Sequence, residues 1–368
     1  MFFVIFISVF ALMHVYVFWR VVSVEFIIRY MPKNILFGLG IIFFLSFFLA
    51  RMYSRHSDSL LAKTIELFGM TWIGVLFIFT VSLLIVDIFT GFGFLFQKKV
   101  SLLRGCGLIA GGIFSIIALI QGMRPPEITE YTLHVPHLPD ELNKIVLVAM
   151  SDLHIGTQLG EKWLADRIIQ VQELKPDMIL LLGDIFEGHG GPAHDQLIPL
   201  LQNLSAPLGV WAVLGNHEYY HGQDTSIRLI HKVGFHLLRN QWAEVRKGFI
   251  LAGVEDLTIL RRNKLKGDPL LQTLSNRPQG TTILLSHSPL QAEKAASLGV
   301  DAMLCGHTHN GQIWPFGYIV RISYSLLYGL YNVDGMSVIV CRGTGTWGPR
   351  MRLWNRGEIL RITLINNK

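Results

Sequence analysis

The stretch KIVLVAMSDLHIG, residues 144–156, decides the fold. After Lys144, six apolar residues run to Met150, rich in Val and Ile, and break at once into Ser151-Asp152-Leu153-His154. A short apolar run of this kind, too brief for a buried helix, predicts a strand covered on both faces. The same grammar recurs down the chain. Met178–Leu182 leads into Gly183-Asp184, Val210–Leu214 into Gly215-Asn216-His217, Ile283–Leu285 into Ser286-His287, and Ala302–Cys305 into Gly306-His307-Thr308-His309. Glu161–Leu174, Thr225–Val233 and Gln291–Leu298 read as helices between these runs. Strands alternating with helices predict a layered α/β domain, and in such domains ligands bind beyond the carboxyl ends of the strands. Here five strand ends carry Asp, Asn or His.

The residue types at those ends suit metal chemistry. Residues i and i+2 of an extended chain share a face, so Asp152 with His154, and His307 with His309, each offer two donors to one small region. Imidazole nitrogen together with carboxylate and amide oxygen fits a borderline divalent ion such as manganese, iron or zinc. The donors exceed the four of a single tetrahedral zinc site. No GxSxG nucleophile elbow and no GxxxxGK[ST] phosphate loop competes with this reading.

Taken together, SDLHIG (151–156), GD (183–184), GNHE (215–218), SH (286–287) and GHTH (306–309) resemble the motifs of the calcineurin-like metallophosphoesterases, over about residues 140–368. GNHEYY, GHTHNGQ and the later RGTGTWGPRMRL (342–353) resemble the membrane-linked subgroup. The resemblance implies a two-sheet sandwich flanked by helices and two divalent ions. It places Asp152, His154 and His309 on one ion, Asn216, His287 and His307 on the other, and Asp184 between them. His217 corresponds to the family's catalytic histidine rather than to a ligand. Glu187 stands where many members have Asp, and Asn310 where the subgroup usually has Gly. His189, His194 and His221 flank the motifs and are expected at the surface or behind the ligands.

The first third of the chain is different. Apolar residues make up 51% of the 368 and charged residues only 16%, well under the roughly 25% of soluble domains. The deficit lies in four runs, Phe2–Trp19, Ile35–Ala50, Gly69–Phe96 and Leu102–Ile120. About 20 apolar residues cross the hydrocarbon core, and these runs are apolar all round rather than on one stripe. The third is long enough to tilt or to end in a turn at Thr90–Gly93. Asp87, near the end of that run, reads as a helix-end residue. The expectation is a multi-pass anchor over residues 1–122, a proline-bearing linker over 123–143 with a short strand at Tyr131–Val135, and a catalytic domain over 144–368. A cleaved leader is not expected, since no basic segment precedes Phe2.

Four crossings put both ends of the chain on one side. The loops on the other side carry Arg20, Arg29, Lys33, Lys98, Lys99 and Arg104, against Arg51, Arg55, Lys63 and Arg124. Six against four leans toward an extracytoplasmic catalytic domain. The net charge of +6 is therefore read as membrane-loop charge, and no nucleic-acid partner is expected. Cys106, Cys305 and Cys341 form no CxxC pair and imply no disulfide framework.

The expected activity is hydrolysis of a phosphoester, phosphodiester or phosphomonoester, on a lipid-linked substrate at the bilayer. A soluble nucleotide substrate and a non-enzymatic sensor or transport protein are the alternatives. The intact donor set argues against the last. Two features leave their readings open. Trp314–Tyr328 is either a bilayer-touching loop or a packed hairpin. Arg342, Arg350 and Arg352 either face a phosphate or form a solvated edge.

Overall fold

The computed structural model describes residues 2–53, 59–156, 158–187, 195–220, 222–263 and 267–367. It divides into two compact units, residues 1–124 with 348–354, and 125–347 with 355–368.

The first unit is helical: α1 (Phe2–Val22), α2 (Glu25–Tyr30), α3 (Lys33–Tyr53), α4 (Leu60–Phe89) and α5 (Val100–Met123). All but α2 are long and apolar enough to cross a membrane. Each runs beyond its apolar stretch in the sequence at one end or both. The second gains polar residues at both ends to reach 21 residues, and the third begins at Leu60, where the Ser59 side chain caps the first turn by accepting from Ala62 N–H. At 30 residues and 1.5 Å per residue, α4 exceeds a bilayer core of about 30 Å. It stops at Thr90, before a 3₁₀ turn at Gly91–Gly93. Close packing uses small residues, as membrane helices do. A Cβ on Gly69 would lie 2.6 Å from the Ser46 carbonyl oxygen and 2.7 Å from Ala50 Cβ.

Asp87 lies in the last turn of α4, as expected of a helix-end residue, and is held there. Its carboxylate is fully buried, with Arg20 Nε 2.6 Å from Oδ2 and Arg104 Nε donating to Oδ1 at 3.1 Å. Tyr16 O–H donates to Oδ2 at 2.7 Å, and Arg104 Nη1 donates to Ser23 Oγ at 3.1 Å. The cluster ties the ends of α1, α4 and α5 together. Two arginines that the loop-charge count treats as free loop charge are thereby ion-paired. Asp87→Ala leaves both guanidinium groups buried without their counter-ion, and removing one member of such a network costs about 3–5 kcal/mol. We expect a large fall in the unfolding midpoint of the detergent-solubilised protein. An unchanged midpoint would mean that the cluster does not hold the helices.

The strip Gly348–Trp354 belongs to this unit although it lies late in the chain. Arg352 N–H donates to Ala118 O at 2.9 Å, and Trp354 N–H donates to Gln121 Oε1 at 2.7 Å. Gly122 permits the approach, since a Cβ there would sit 2.5 Å from the Arg350 carbonyl oxygen. Arg352 is 2% exposed, so the reading of it as a solvated edge does not hold.

The second unit contains two six-stranded sheets. One has the order β1 (Glu127–Val135), β12 (Glu358–Asn366), β2 (Val146–Met150), β3 (Met178–Leu182), β4 (Val210–Val213), β5 (His236–Leu237). The other runs β10 (Gly329–Val333), β11 (Met336–Val340), β9 (Ala302–Cys305), β8 (Thr281–Leu285), β7 (Phe249–Gly253), β6 (Gln241–Arg246). β2, β3 and β4 pair in parallel, as do β7, β8 and β9. The strand expected at Tyr131–Val135 starts earlier, at Glu127, and runs parallel to β12 over its whole length. Leu147 and Ala149 face the core between the sheets, with Leu180, Leu251, Ile283 and Leu304. Val148 and Met150 face outward into a second core with Leu164, Ile168 and Val171 of the helix Glu161–Glu173. Both faces of β2 are therefore buried, which is why it reads as a continuous apolar run rather than an alternating one.

Candidate metal centre

The five polar clusters follow β2, β3, β4, β8 and β9 directly. They do not continue the strands. Asp152, His154, Asp184, His307 and His309 all have positive φ, between 45° and 73°. The x-spaced pairs are therefore presented by left-handed backbone and not by the extended chain that the sequence pattern suggests: Asp152 and His154 enter one donor group, whereas His307 and His309 enter different ones. Such non-glycine conformations cost on the order of 1–3 kcal/mol each and persist where the surroundings over-determine them. Two glycines let the loops close. A Cβ on Gly215 would collide with Asp184 Oδ1, and one on Gly306 with Ser151 Oγ. Asn310 also has positive φ, at 50°. That backbone explains why Gly and Asn both suit the position.

All seven expected donors converge. Asp152, His154 and His309 form one group whose ligand atoms lie within 4.8 Å of one another, and Asp184, His287 and His307 form another. In the first group, His309 Nε2 is 3.2 Å from Asp152 Oδ1 and 3.3 Å from His154 Nε2. In the second, His287 Nε2 is 3.2 Å from Asn216 Oδ1, 3.2 Å from His307 Nδ1 and 3.3 Å from Asp184 Oδ2. Asp184 Oδ2 is also 3.8 Å from His154 Nε2, so that it adjoins both groups. His217 joins a third group with His154 and Asp184. Its backbone N–H donates to Asp184 Oδ1 at 2.8 Å.

These residues fit divalent cations, and hydrogen-bond bookkeeping shows why. His287 Nδ1 lies 2.8 Å from Leu182 O, an acceptor only, so Nδ1 carries the proton and a neutral ring presents a bare Nε2 inward. His154 Nδ1 lies 2.8 Å from Glu187 Oε2, with the same result. These two Nε2 nitrogens, of His154 and His287, point at His309 Nε2 and His307 Nδ1 at 3.3 and 3.2 Å, a cluster of imidazole donors that a cation between them would suit. Asp152 Oδ1 is buried among them, with His309 Nε2 beside it at 3.2 Å.

Without cations, burial opposes ionisation of Asp152 and Asp184, but the surrounding imidazoles hold both carboxyls below their ordinary range. Burial likewise opposes the His217 imidazolium, yet Glu187 and Asp184 raise it to about 9. Burial and the neighbouring His287 push His307 down to about 4.

Four further residues serve the site without having been assigned to it. Glu187 Oε2 lies 2.8 Å from both His154 Nδ1 and His217 Nδ1, one carboxylate holding two rings. Glu218 is fully buried and accepts from the backbone N–H groups of Asp184, Ile185, Phe186 and Gly215, clamping the β3 loop to the β4 loop. Trp347 lies with its ring centroid 6.1 Å from that of His217. Tyr324 Oη is 2.7 Å from His307 Nε2, and burial raises its phenol to about 12. The GNHE string contained a signal for Glu218. Nothing in the spacing pointed to Tyr324, 17 residues from its partner. His189, His194 and His221 lie outside the described residues.

A partner that orients a ligand histidine typically accounts for 10–100-fold in metal affinity. Tyr324→Phe is therefore expected to weaken metal retention about tenfold, read by titrating the protein with a competing chelator. Unchanged retention would show that the phenol does not orient His307.

With this geometry in view, comparison with known proteins is decisive. Residues 145–311 match the calcineurin-like phosphoesterase family. An uncharacterized metallophosphoesterase of Campylobacter jejuni is 32% identical over 71% of this chain and 69% of its own length. The chain belongs to the calcineurin-like metallophosphoesterases. A metallophosphoesterase of Aquifex aeolicus is 34% identical over 64% of this chain and 91% of its own. A transmembrane protein with metallophosphoesterase domain from Danio rerio is 31% identical over 70% of this chain and 61% of its own. This metallophosphoesterase, with its four membrane-length helices, is a membrane protein.

Proposed function

We propose that the protein is a membrane-anchored hydrolase of phosphoesters, dependent on two divalent ions and acting on a lipid-linked substrate. The observation that carries the hydrolytic reading is the convergence of seven donors with His217 at their edge. Asp152, His154 and His309 would hold one ion and Asn216, His287 and His307 the other, with Asp184 shared. Two such ions clamp a phosphoryl group and supply a water made nucleophilic at neutral pH. The chain's own contribution is position and protons. Leu182 O and Glu187 fix the rings of His287 and His154. Glu187, close to His217 Nδ1, favours its protonated form and lets it stabilise the phosphoryl oxygens or give a proton to the leaving alkoxide. Manganese is the ion we would supply first, with iron and zinc as competitors.

One observation favours a second reading, a soluble nucleotide. Tyr220 and Trp347 flank His217 and remain 45% and 42% exposed, and exposed aromatic faces can stack on a base. The discriminating experiment incubates the full-length protein, reconstituted with manganese, with an aryl phosphodiester, nucleotides and phospholipid vesicles. Lipid turnover supports the lipid reading. Rapid nucleotide turnover with none on lipid overturns it, and inactivity on every phosphoester overturns the hydrolytic reading.

The loop charges lean toward an extracytoplasmic metal unit. With Asp87 subtracted from the Arg20–Arg104 pair, the lead falls from two charges to one. We expect a reporter active only outside the cytoplasm to be active when fused after Lys368. Activity confined to a cytoplasmic reporter would reverse the assignment.

A further inference from the structure

Apart from Tyr324, the segment that follows His309 takes no part in the chemistry above, yet its entry is fastened to Trp347 and its exit to the ligand loop. At the entry, Gln312 Nε2 donates to Trp347 O at 2.9 Å and Trp347 N–H donates to Gln312 Oε1 at 2.8 Å. Gly311, with φ of +72°, lies against Gly317 with no room for a side chain. At the exit, Tyr324 meets His307, and Thr308 Oγ1 donates to Leu327 O at 2.5 Å. The chain between is pinned at its entry to Trp347, beside His217, and at its exit to His307 and Thr308.

Between the roots the apolar side chains turn outward. The helix Gly317–Ser323 buries none of its residues. Tyr318, Ile319 and Ile322 are 68%, 55% and 85% exposed, and Trp314 and Phe316 are exposed as well. Among the described residues of the second unit, eleven large hydrophobic side chains are exposed, and seven of them fall between Trp314 and Leu330. Scattered exposed hydrophobics need no explanation, but a contiguous set marks a surface that something covers.

We propose that this segment seats in the interfacial layer of the bilayer and so holds the metal ligands at the lipid surface. Three facts select lipid over a protein partner. The chain carries four membrane-length helices, so lipid is tethered at high local concentration. The set combines Trp and Tyr with Ile, the mixture that suits the boundary between headgroups and acyl chains. Its one basic residue, Arg321, is exposed within the helix, where a long stem can keep the guanidinium among phosphates. The inference does not depend on the hydrolytic reading, because an inactive protein would seat in the same way.

The test follows Trp314 fluorescence in the full-length protein, reconstituted in phosphatidylcholine vesicles. The emission is compared with that of Trp314→Phe, so that tryptophans of the membrane helices cancel. Brominated phosphatidylcholine should quench the Trp314 share of the emission, and aqueous iodide should not. Ile319→Asp with Ile322→Asp should exchange the two behaviours, making Trp314 accessible to iodide and insensitive to bromine. Iodide quenching of Trp314 in the unmodified protein would overturn the proposal by showing a water-facing surface. Protection from both quenchers would overturn it as well, because protein then covers the segment.

Discussion

Asp184→Asn is expected to remove nearly all hydrolytic activity while leaving the fold in place. The Asp184 carboxylate adjoins imidazoles of both donor groups, through Oδ2 at 3.3 Å from His287 Nε2 and 3.8 Å from His154 Nε2. It is 2% exposed. The amide keeps the size and can still accept the His217 N–H that now donates to Oδ1 at 2.8 Å. It loses the negative charge that would be shared by two cations, and it can turn an N–H₂ toward them. Groups that act directly on transition-state charge are worth about 10²–10³-fold each. A shared ligand should cost at least the upper end, because its loss weakens both ions together. Chelation of the unmodified protein should act in the same way, with recovery on adding manganese. The measurement is the rate on an aryl phosphodiester beside the far-UV spectrum and metal content. Full activity in metal-free protein would end the dinuclear reading.

His217→Ala should separate rate from metal. The ring lies in one group with His154 and Asp184, close enough to be mistaken for a ligand. Its Nδ1, however, is taken up by Glu187 Oε2 at 2.8 Å. If His217 handles a proton or steadies the phosphoryl oxygens, its loss should lower kcat by about 10²–10⁴-fold. Bound metal per chain should stay near that of the unmodified protein, since Asp152, His154 and His309 remain on one side and Asn216, His287 and His307 on the other. Metal lost in step with rate would move His217 into the ligand set and leave the general-acid role without a residue.

The proposed ligand residues stand out in the sequence because their signal is local. Each stands two or four residues beyond an apolar run, and a run too short for a helix and too apolar for a surface strand ends where a buried β-strand ends. The layered α/β class followed from the repetition of that pattern, its two-sheet form from the family resemblance, and the four membrane helices from runs that are apolar on every face. How the donors face one another was not readable. Five of the seven have positive φ, a backbone state that the residue types Asp and His permit but do not announce, and that the closely packed loops at Gly215 and Gly306 impose.

Other features depend on contacts between residues far apart in the chain. Arg20 and Arg104 reach Asp87 across 67 and 17 residues, so a charge count along the sequence treats as free two arginines that packing has paired. Glu187 serves His154 from 33 residues away, and Arg352 lies against Ala118. The sequence alone determined which residues have the chemistry and which segments seek lipid or a core, because composition and periodicity act within a few residues. The tertiary structure decided which nitrogen of each histidine turns inward, what holds the other, and which charges cancel. Those outcomes depend on donor and acceptor geometry that exists only after distant segments have packed.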